Sequence, residues 1–151
     1  MRKLVCFYLN EQEYAADIDD IKETMALRPI TRVFLTPAWM LGIINLRGDV
    51  VAVIDLAQLL GLPATVPTDD SRIIIARHEG KNVGVIVDQV AELRTMDIDG
   101  LQTPPATLSD EGAALLAGIA TVDDGAPLRV LDLPGLFDSE RLQAFQREGR
   151  A

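Results

Sequence analysis

The sequence is poor in the residues that carry out chemistry. Its 151 residues include one cysteine, Cys6, and one histidine, His78. A disulfide needs two cysteines and a Cys/His zinc site needs several ligands, so residue counts alone exclude both. We therefore expect no metal ion and no cofactor. Cys6 lies in an apolar predicted strand and is predicted to be a core residue. His78 lies beside a predicted turn and is expected to be an exposed titratable residue without a catalytic role.

Positive charge and long apolar runs are also scarce. Fourteen Lys and Arg stand against 23 Asp and Glu, which gives a net charge of −9. Nucleic acids and anionic lipid surfaces are bound mainly through clustered positive charge, so neither is an expected partner. The longest apolar run, residues 40–46, is far shorter than the roughly 20 residues of a membrane-spanning helix. Because residues 1–4 begin no signal-peptide pattern, we expect a cytoplasmic protein without direct membrane insertion.

Enzyme motifs are absent as well. The segment from Gly42 to Gly48 lacks the Gly-Lys-Ser/Thr ending of a phosphate loop. Asp97-x-Asp99-Gly100 begins like a calcium loop, but Leu108 occupies the twelfth position, where a carboxylate is required. No serine lies in a Gly-x-Ser-x-Gly nucleophile motif; the serines considered are Ser71, Ser109 and Ser139. The sequence therefore predicts a protein that is not an enzyme.

Short β-strands separated by turns are what the sequence does contain. Apolar runs bounded by turn residues predict strands at 4–9, 14–18, 42–46, 50–54, 72–76, 83–87, 119–122 and 128–131. Residues 19–25 fit either a short helix or an edge strand. Between Pro29 and Pro37 lies an irregular stretch that contains Val33, Phe34 and Leu35.

Few helical segments are expected. Residues 38–41 predict one helical turn, and Asp55 is a predicted N-cap of a short helix that ends at Gly61. The prolines of residues 99–108 predict an exposed loop. Asp123-Asp124-Gly125 has the composition of a tight hairpin turn, and a charged helix is predicted at residues 139–148.

The strand pattern occurs twice. Residues 14–23 align without gaps on residues 83–92, and Gly42…Asp55-Leu56 aligns on Gly118…Asp132-Leu133 with one extra residue in the second turn. The half-repeats span about 1–66 and 70–138. Each half is too small to bury much surface alone, and small β units avoid exposed edges by closing into barrels. The repeat therefore predicts an all-β fold, with short helices, of two similar units packed together.

Residues 42–56 resemble the signature of the CheW-type coupling proteins of bacterial chemotaxis arrays. The hallmark is an Asn-Leu-Arg-Gly turn between two apolar strands, followed by Val-Ile-Asp-Leu. The resemblance runs from Val5 to Phe137 and so covers nearly the whole chain. Two positions depart from the family pattern: Ala52 replaces a usual proline, and Arg129 lies in a strand where apolar residues are usual, which suggests a paired side chain or a strand edge.

The resemblance implies a non-enzymatic adaptor formed by a single CheW-like domain over residues 1–151. Proteins of this family consist of two five-stranded β-barrel subdomains packed side by side with a hydrophobic groove between them. The groove binds the cytoplasmic tip of methyl-accepting chemotaxis receptors, and the protein also binds the regulatory domain of the histidine kinase CheA. Recruitment to the inner face of the membrane through receptor arrays is then expected.

Carried over position by position, the resemblance implies a receptor-binding groove at Ile21, Glu23, Gly42, Arg47, Ile73 and Leu93. Taken by themselves, the three apolar side chains would be core residues, Glu23 a solvated residue and Arg47 the occupant of an exposed turn. No kinase-binding residue is assigned. Two alternatives stay open: a coupling protein of a twitching or developmental pathway, and a small all-β ligand-binding regulatory domain.

Overall fold

The computed structural model describes residues 1–102, 114–122, 125–139 and 142–143. Within these residues the chain forms ten strands, two short α-helices and one 3-10 helix. The strands are β1 (Arg2–Leu9), β2 (Gln12–Asp17), β3 (Ile21–Ala26), β4 (Met40–Leu46), β5 (Asp49–Asp55), β6 (Arg72–His78), β7 (Lys81–Val87), β8 (Gln89–Met96), β9 (Leu116–Thr121) and β10 (Pro127–Leu131). The helices are α1 (Leu56–Leu59), α2 (Leu133–Asp138) and the 3-10 helix Ile18–Asp20.

The strands form two five-stranded sheets. Sheet A has the order β8-β1-β2-β10-β9, and sheet B has the order β3-β6-β7-β5-β4. Each sheet contains one parallel pair, β2 with β10 in sheet A and β5 with β7 in sheet B, among antiparallel neighbours. The prediction of an all-β fold with two similar five-stranded units is confirmed.

Each sheet combines strands from both halves of the sequence repeat. Sheet A takes β1 and β2 from the first half and β8, β9 and β10 from the second, whereas sheet B takes the complementary five. The repeat aligns Tyr14 with Val83 and Ala52 with Arg129. Arg129 pairs with Tyr14 in sheet A, and Ala52 pairs with Val83 in sheet B, so the two parallel pairs have equivalent registers. The sequence halves are thus not the spatial units, since neither half contains all five strands of one sheet.

The chain that follows each outer strand bridges back to the opposite edge of its sheet. After β3, Thr31 exchanges two backbone hydrogen bonds of 2.9 and 2.8 Å with Ile43 of β4. After β8, Gln102 exchanges two of 2.9 Å with Ile119 of β9. These bridges join the two edges of each sheet, as the predicted barrel closure requires.

Two glycines allow these bridges to form. Gly42 has a φ of +149°, and a Cβ there would lie 2.7 Å from Ile30 Cγ2 and still closer to the carbonyl oxygen of Thr31. A Cβ on Gly118, the repeat-equivalent residue, would lie 2.5 Å from Leu101 Cβ. A side chain at either position would push the bridging segment away.

The core has one large shared cluster and two smaller ones. The shared cluster contains buried residues of both sheets and both helices, among them Phe7, Tyr14, Ile74, Leu56 and Phe137. The smaller cluster of sheet B contains Ile44, Leu46, Val51, Val53, Ile73 and Ile75. The smaller cluster of sheet A contains Leu4, Cys6, Ala15, Leu128 and Val130. The two sheets are therefore held together by a common apolar core.

Some local predictions need correction. The predicted helical turn at 38–41 is wrong for residues 40–41, which already belong to β4. Residues 38–39 form a single turn, closed by the Met40 N–H, which donates to the Pro37 carbonyl over 3.0 Å. Residues 19–25 contain both open alternatives, the end of the 3-10 helix followed by β3. Asp55 precedes α1 as predicted, but its side chain forms no capping hydrogen bond.

Three predicted segments lie partly outside the described residues. The loop at 99–108 is described only to Gln102, and the turn at 123–125 only at Gly125. Of the helix at 139–148, residues 139 and 142–143 are described, and the Gln143 N–H donates to the Ser139 carbonyl over 3.0 Å. In the described part of the chain, no helix is long and apolar enough to cross a membrane.

Candidate functional site

Two of the six predicted site residues, Glu23 and Arg47, form an ion pair on sheet B. Glu23 lies on the outer strand β3, and Arg47 is the first residue of the turn between β4 and β5. The guanidinium binds the carboxylate through two hydrogen bonds, Nη1 to Oε2 at 2.5 Å and Nη2 to Oε1 at 3.1 Å. Because β3 and β4 are the two edges of sheet B, the pair spans the closure of the sheet.

The turn places Arg47 in a backbone conformation that arginine rarely adopts. Arg47 has a φ of +52° and Gly48 a φ of +91°, the pattern of a two-residue turn whose first position favours Asn, Asp or Gly. The turn is supported by Asn45, whose Oδ1 accepts a hydrogen bond from the Gly48 N–H at 3.0 Å. Turn chemistry alone therefore does not select arginine here, which argues against its being only an exposed turn residue.

Glu23 and Arg47 each stabilise the charged form of the other. The hydrogen bond from Arg47 lowers the pKa of the Glu23 carboxyl, and the positive charges of Lys22 and Arg28 act in the same direction. In turn, hydrogen bonding to Glu23 raises the pKa of Arg47. Arg47 stays largely exposed, with 68% of its side chain accessible against 24% for Glu23. The carboxylate thus fixes a guanidinium that still faces solvent.

Three further predicted residues lie in sheet B at different depths. Ile21 begins β3, is half-buried and packs against the shared core. Gly42 lies in β4 under the bridge formed by Thr31. Ile73 is fully buried in β6 and pairs with Met25 of β3. Ile73 can therefore affect a binding surface only through the residues packed over it.

Leu93, the sixth predicted residue, lies in sheet A. It is 60% exposed on the outer strand β8. Arg94 beside it binds Glu13 Oε1 at 3.2 Å and Glu92 Oε1 at 2.9 Å, so an exposed leucine stands among charged side chains. The repeat relates Leu93 to Thr24 of β3, so Leu93 lies on the outer strand of sheet A that is equivalent to the strand carrying Ile21 and Glu23 in sheet B.

Other exposed apolar side chains were not predicted as site residues. Phe34 is 94% exposed and Leu35 fully exposed, in the loop between β3 and β4. The sequence signal that could have identified Phe34 and Leu35 is the apolar triplet at residues 33–35, in an irregular stretch between two prolines. Val50, at the start of β5 near the Arg47 turn, is 69% exposed.

Cys6 and His78 both pack against other side chains. Cys6 is fully buried, and burial raises the pKa of its thiol from 9.0 to about 11, which makes it a poor nucleophile. His78 is less exposed than predicted: its ring packs against Phe137 with centroids 5.6 Å apart and lies 3.7 Å from Glu79. No group of three or more His, Cys, Asp or Glu suited to a metal ion occurs in the described part of the chain.

Arg129, an unusual residue for its strand, is paired. Its guanidinium carbon lies 5.6 Å from the ring centroid of Tyr14, its partner in the β2–β10 register. Burial raises the pKa of Tyr14, and the charge of Arg129 opposes that shift. A cation–π contact therefore accommodates the charge in sheet A.

Comparison with known proteins agrees with this architecture. Residues 3–141 match the model of the CheW-like domain. The chain is 34% identical over 143 residues to a probable chemotaxis protein CheW of Rhizobium etli and 32% identical over 143 residues to the chemotaxis protein CheW of Rhizobium meliloti, covering in each case 95% of this chain and 92% of the relative. The crystal structure of the scaffolding protein TtCheW from Thermoanaerobacter tengcongensis superposes with a TM-score of 0.81 at 36% identity, over 93% of this chain and 90% of that one. The chain therefore belongs to the CheW-like family of chemotaxis scaffold proteins.

Proposed function

We propose that the chain is a non-enzymatic adaptor that couples the cytoplasmic tip of transmembrane chemoreceptors to the regulatory domain of the histidine kinase CheA. The observation that carries the receptor contact is the bidentate Glu23–Arg47 pair on the exposed edge of sheet B. Residues that occupy an unfavourable backbone conformation cluster at functional sites. Arg47 is such a residue, and its side chain stays accessible.

A receptor tip is a helical hairpin, which fits a surface of apolar anchors with a few charges that set the register. Leu93 on β8 and the half-buried Ile21 on β3 supply apolar contacts. Arg47 has five N–H donors, and two of its nitrogens bind Glu23, so further donors can bind carbonyl or carboxylate groups of a helix. In this proposal Glu23 orients the guanidinium, while Gly42 and Ile73 hold the strands beneath it.

The adaptor acts by binding alone and is held at the inner face of the membrane through the receptors. The relatives from the two Rhizobium species are named chemotaxis proteins, which favours a chemotaxis array over a twitching or developmental pathway. A more distant match, Protein FrzA of Myxococcus xanthus, is 22% identical and therefore weighs less than the two Rhizobium relatives.

A pull-down with a receptor-tip fragment and with the CheA regulatory domain tests the proposal. We expect both to bind the wild-type protein, and Arg47→Glu to weaken receptor binding about tenfold or more, because it places a negative charge opposite Glu23 and removes the donors. Arg77→Glu reverses an exposed charge elsewhere and serves as the control. Equal receptor binding by wild type and Arg47→Glu would contradict the assigned surface, and failure of the wild type to bind either partner would contradict the adaptor function.

A charge swap separates contact from scaffolding. The double variant Glu23→Arg with Arg47→Glu rebuilds an ion pair with its direction reversed. If Arg47 contacts the receptor, the swap restores the fold but not the binding. Recovery of receptor binding by the swap would show instead that the pair only holds the edges of sheet B together.

A further inference from the structure

We propose, resting on the receptor contact proposed above, that Arg28 is a positioning residue that holds the Arg47 turn in its binding geometry. Arg28 lies in the chain that follows β3 and is exposed. Its Nη1 donates to the Asn45 carbonyl at 3.1 Å. Asn45 Oδ1 in turn accepts the Gly48 N–H at 3.0 Å, inside the turn that carries Arg47. Asn45 therefore links Arg28 to the backbone of that turn.

The outer edge of β4 explains why a long donor side chain is required. Along an antiparallel pair, alternate residues point their backbone groups away from the partner strand. Ile43 is such a residue, because its N–H and carbonyl bond Thr31 rather than β5. Asn45, two residues further along β4, points its carbonyl to the same edge. There a side chain, that of Arg28, supplies the donor in place of the backbone.

Three links join the two edges of sheet B at every second residue of β4 and its turn. They are the contacts Thr31–Ile43, Arg28–Asn45 and Glu23–Arg47. The first joins backbone to backbone, the second side chain to backbone and the third side chain to side chain, so the gap between the edges widens toward Arg47. An exposed ion pair contributes little by itself, because solvent screens it and two long side chains must be ordered. Arg28 is the neighbouring link and limits how far the edges separate beneath the pair.

Sheet A has an acidic residue where sheet B has Arg28. Continued without gaps, the sequence repeat places Asp97 at the position of Arg28. The Asp97 carboxylate accepts the Asp99 N–H at 2.9 Å within its own segment. A guanidinium at this position is therefore not a requirement of the duplicated fold, which favours a role at the Arg47 surface.

Binding of a receptor-tip fragment to single and double variants tests the proposal. Arg28→Gln should raise the dissociation constant about fivefold, because residues of one hydrogen-bonded network are energetically coupled. In a chain that already carries Arg47→Gln, the same change should weaken binding no further, since Arg28 acts through Arg47. A further loss in that background would mean that Arg28 contacts the receptor itself, which overturns the proposal. Equal binding by wild type and Arg28→Gln also overturns it.

Arg32→Gln is the matched control. Arg32 is an exposed arginine of the same segment, so the variant removes an equal charge and leaves the hydrogen bond to Asn45 intact. It should leave the dissociation constant for the receptor-tip fragment nearly unchanged. If Arg32→Gln weakened binding as much as Arg28→Gln, both arginines would act only through long-range charge, and the positioning role would be wrong.

Titration of the Glu23 carboxyl in the protein without receptor separates this proposal from the adaptor function. The hydrogen bond from Arg47 is the largest cause that lowers the pKa of Glu23, and the charge of Arg28 acts in the same direction. If Arg28 holds Arg47 in place, Arg28→Gln should raise the Glu23 pKa, followed by NMR of the carboxyl carbon, and most of that rise should disappear in an Arg47→Gln background.

The outcomes of this titration are distinct. A rise of the same size with and without Arg47 would be the direct effect of the Arg28 charge and would overturn the positioning role. Coupled titration shifts in a wild-type protein that fails to bind a receptor-tip fragment would support the positioning of Arg47 and contradict the receptor contact.

Discussion

The two sheets share one topology and differ in what they expose. Inward positions correspond in character: Leu4 in sheet A and Ile73 in sheet B are repeat equivalents, and both are fully buried. The outer strands diverge, because β3 carries Glu23, which pairs with Arg47, whereas β8 carries the exposed Leu93. The duplicated core thus fixes the fold, while the differing edges give a nearly symmetric molecule two distinct faces.

The largest expected difference between the two sheets lies in the stability of the bridges that close them. Gly42→Ala should lower the free energy of unfolding by about 3 kcal/mol, because the new Cβ meets backbone atoms of Thr31 in an unfavourable conformation. Gly118→Ala should cost about 2 kcal/mol, since its φ of +159° is nearly extended and the clash is mainly with Leu101. Chemical denaturation measures both.

Gly80→Ala is the control for these two variants. Gly80 has a φ of +79° but open space around it, so its substitution should cost only about 1 kcal/mol for the backbone conformation. If Gly42→Ala were no more destabilising than Gly80→Ala, the Thr31 bridge would not be what holds sheet B closed.

The strands and their repetition could be predicted from the sequence because apolar alternation with intervening turns is a local signal. The exchange of strands between halves could not. The two-residue alternation of apolar and polar side chains determines which face of a strand is buried, but it does not identify the neighbouring strand. The parallel pairing of β5 with β7 depends on tertiary packing. The helical prediction failed at residues 40–41 for a related reason: the local pattern is overridden by β4, which pairs Met40 with Ile54.

The candidate site was predictable in part. The Asn-Leu-Arg-Gly turn identified Arg47, but pattern alone could not pair it with Glu23, 24 residues away, because that contact depends on closure of sheet B. Nor could the pattern separate Ile73 from Leu93. Both are apolar residues in strands, and only the position of a strand at the centre or edge of a sheet decides that one is buried and the other exposed.

Two equivalent aspartates provide a second comparison. Asp55 is 1% exposed and accepts hydrogen bonds from the Thr65 N–H, the Thr65 hydroxyl and Gln58 Nε2, each at 2.9 Å. Asp132 instead caps α2 through the Gly135 N–H at 3.0 Å. Asp55→Ala should therefore cost about 2 kcal/mol by leaving a buried network unpaired, and Asp132→Ala about 1 kcal/mol by removing one cap.

Thermal and denaturant unfolding of the two alanine variants measure the difference. Asp55→Asn keeps one acceptor oxygen and should fall between wild type and Asp55→Ala. Equal costs at Asp55 and Asp132 would mean that the Thr65 contacts add nothing beyond an ordinary helix cap.

The smallest expected effect concerns the contact between Arg129 and Tyr14 in sheet A, which the equivalent residues of sheet B, Ala52 and Val83, do not form. Arg129→Gln removes the charge above the ring and should destabilise the chain by about 0.5–1 kcal/mol. Because Arg129 lowers the pKa of Tyr14 against the effect of burial, the same variant should move the Tyr14 titration to higher pH. Absorbance titration follows the phenolate, with Tyr14→Phe identifying its signal. An unchanged titration would show that the guanidinium does not act on Tyr14, and the charge in sheet A would then need another partner.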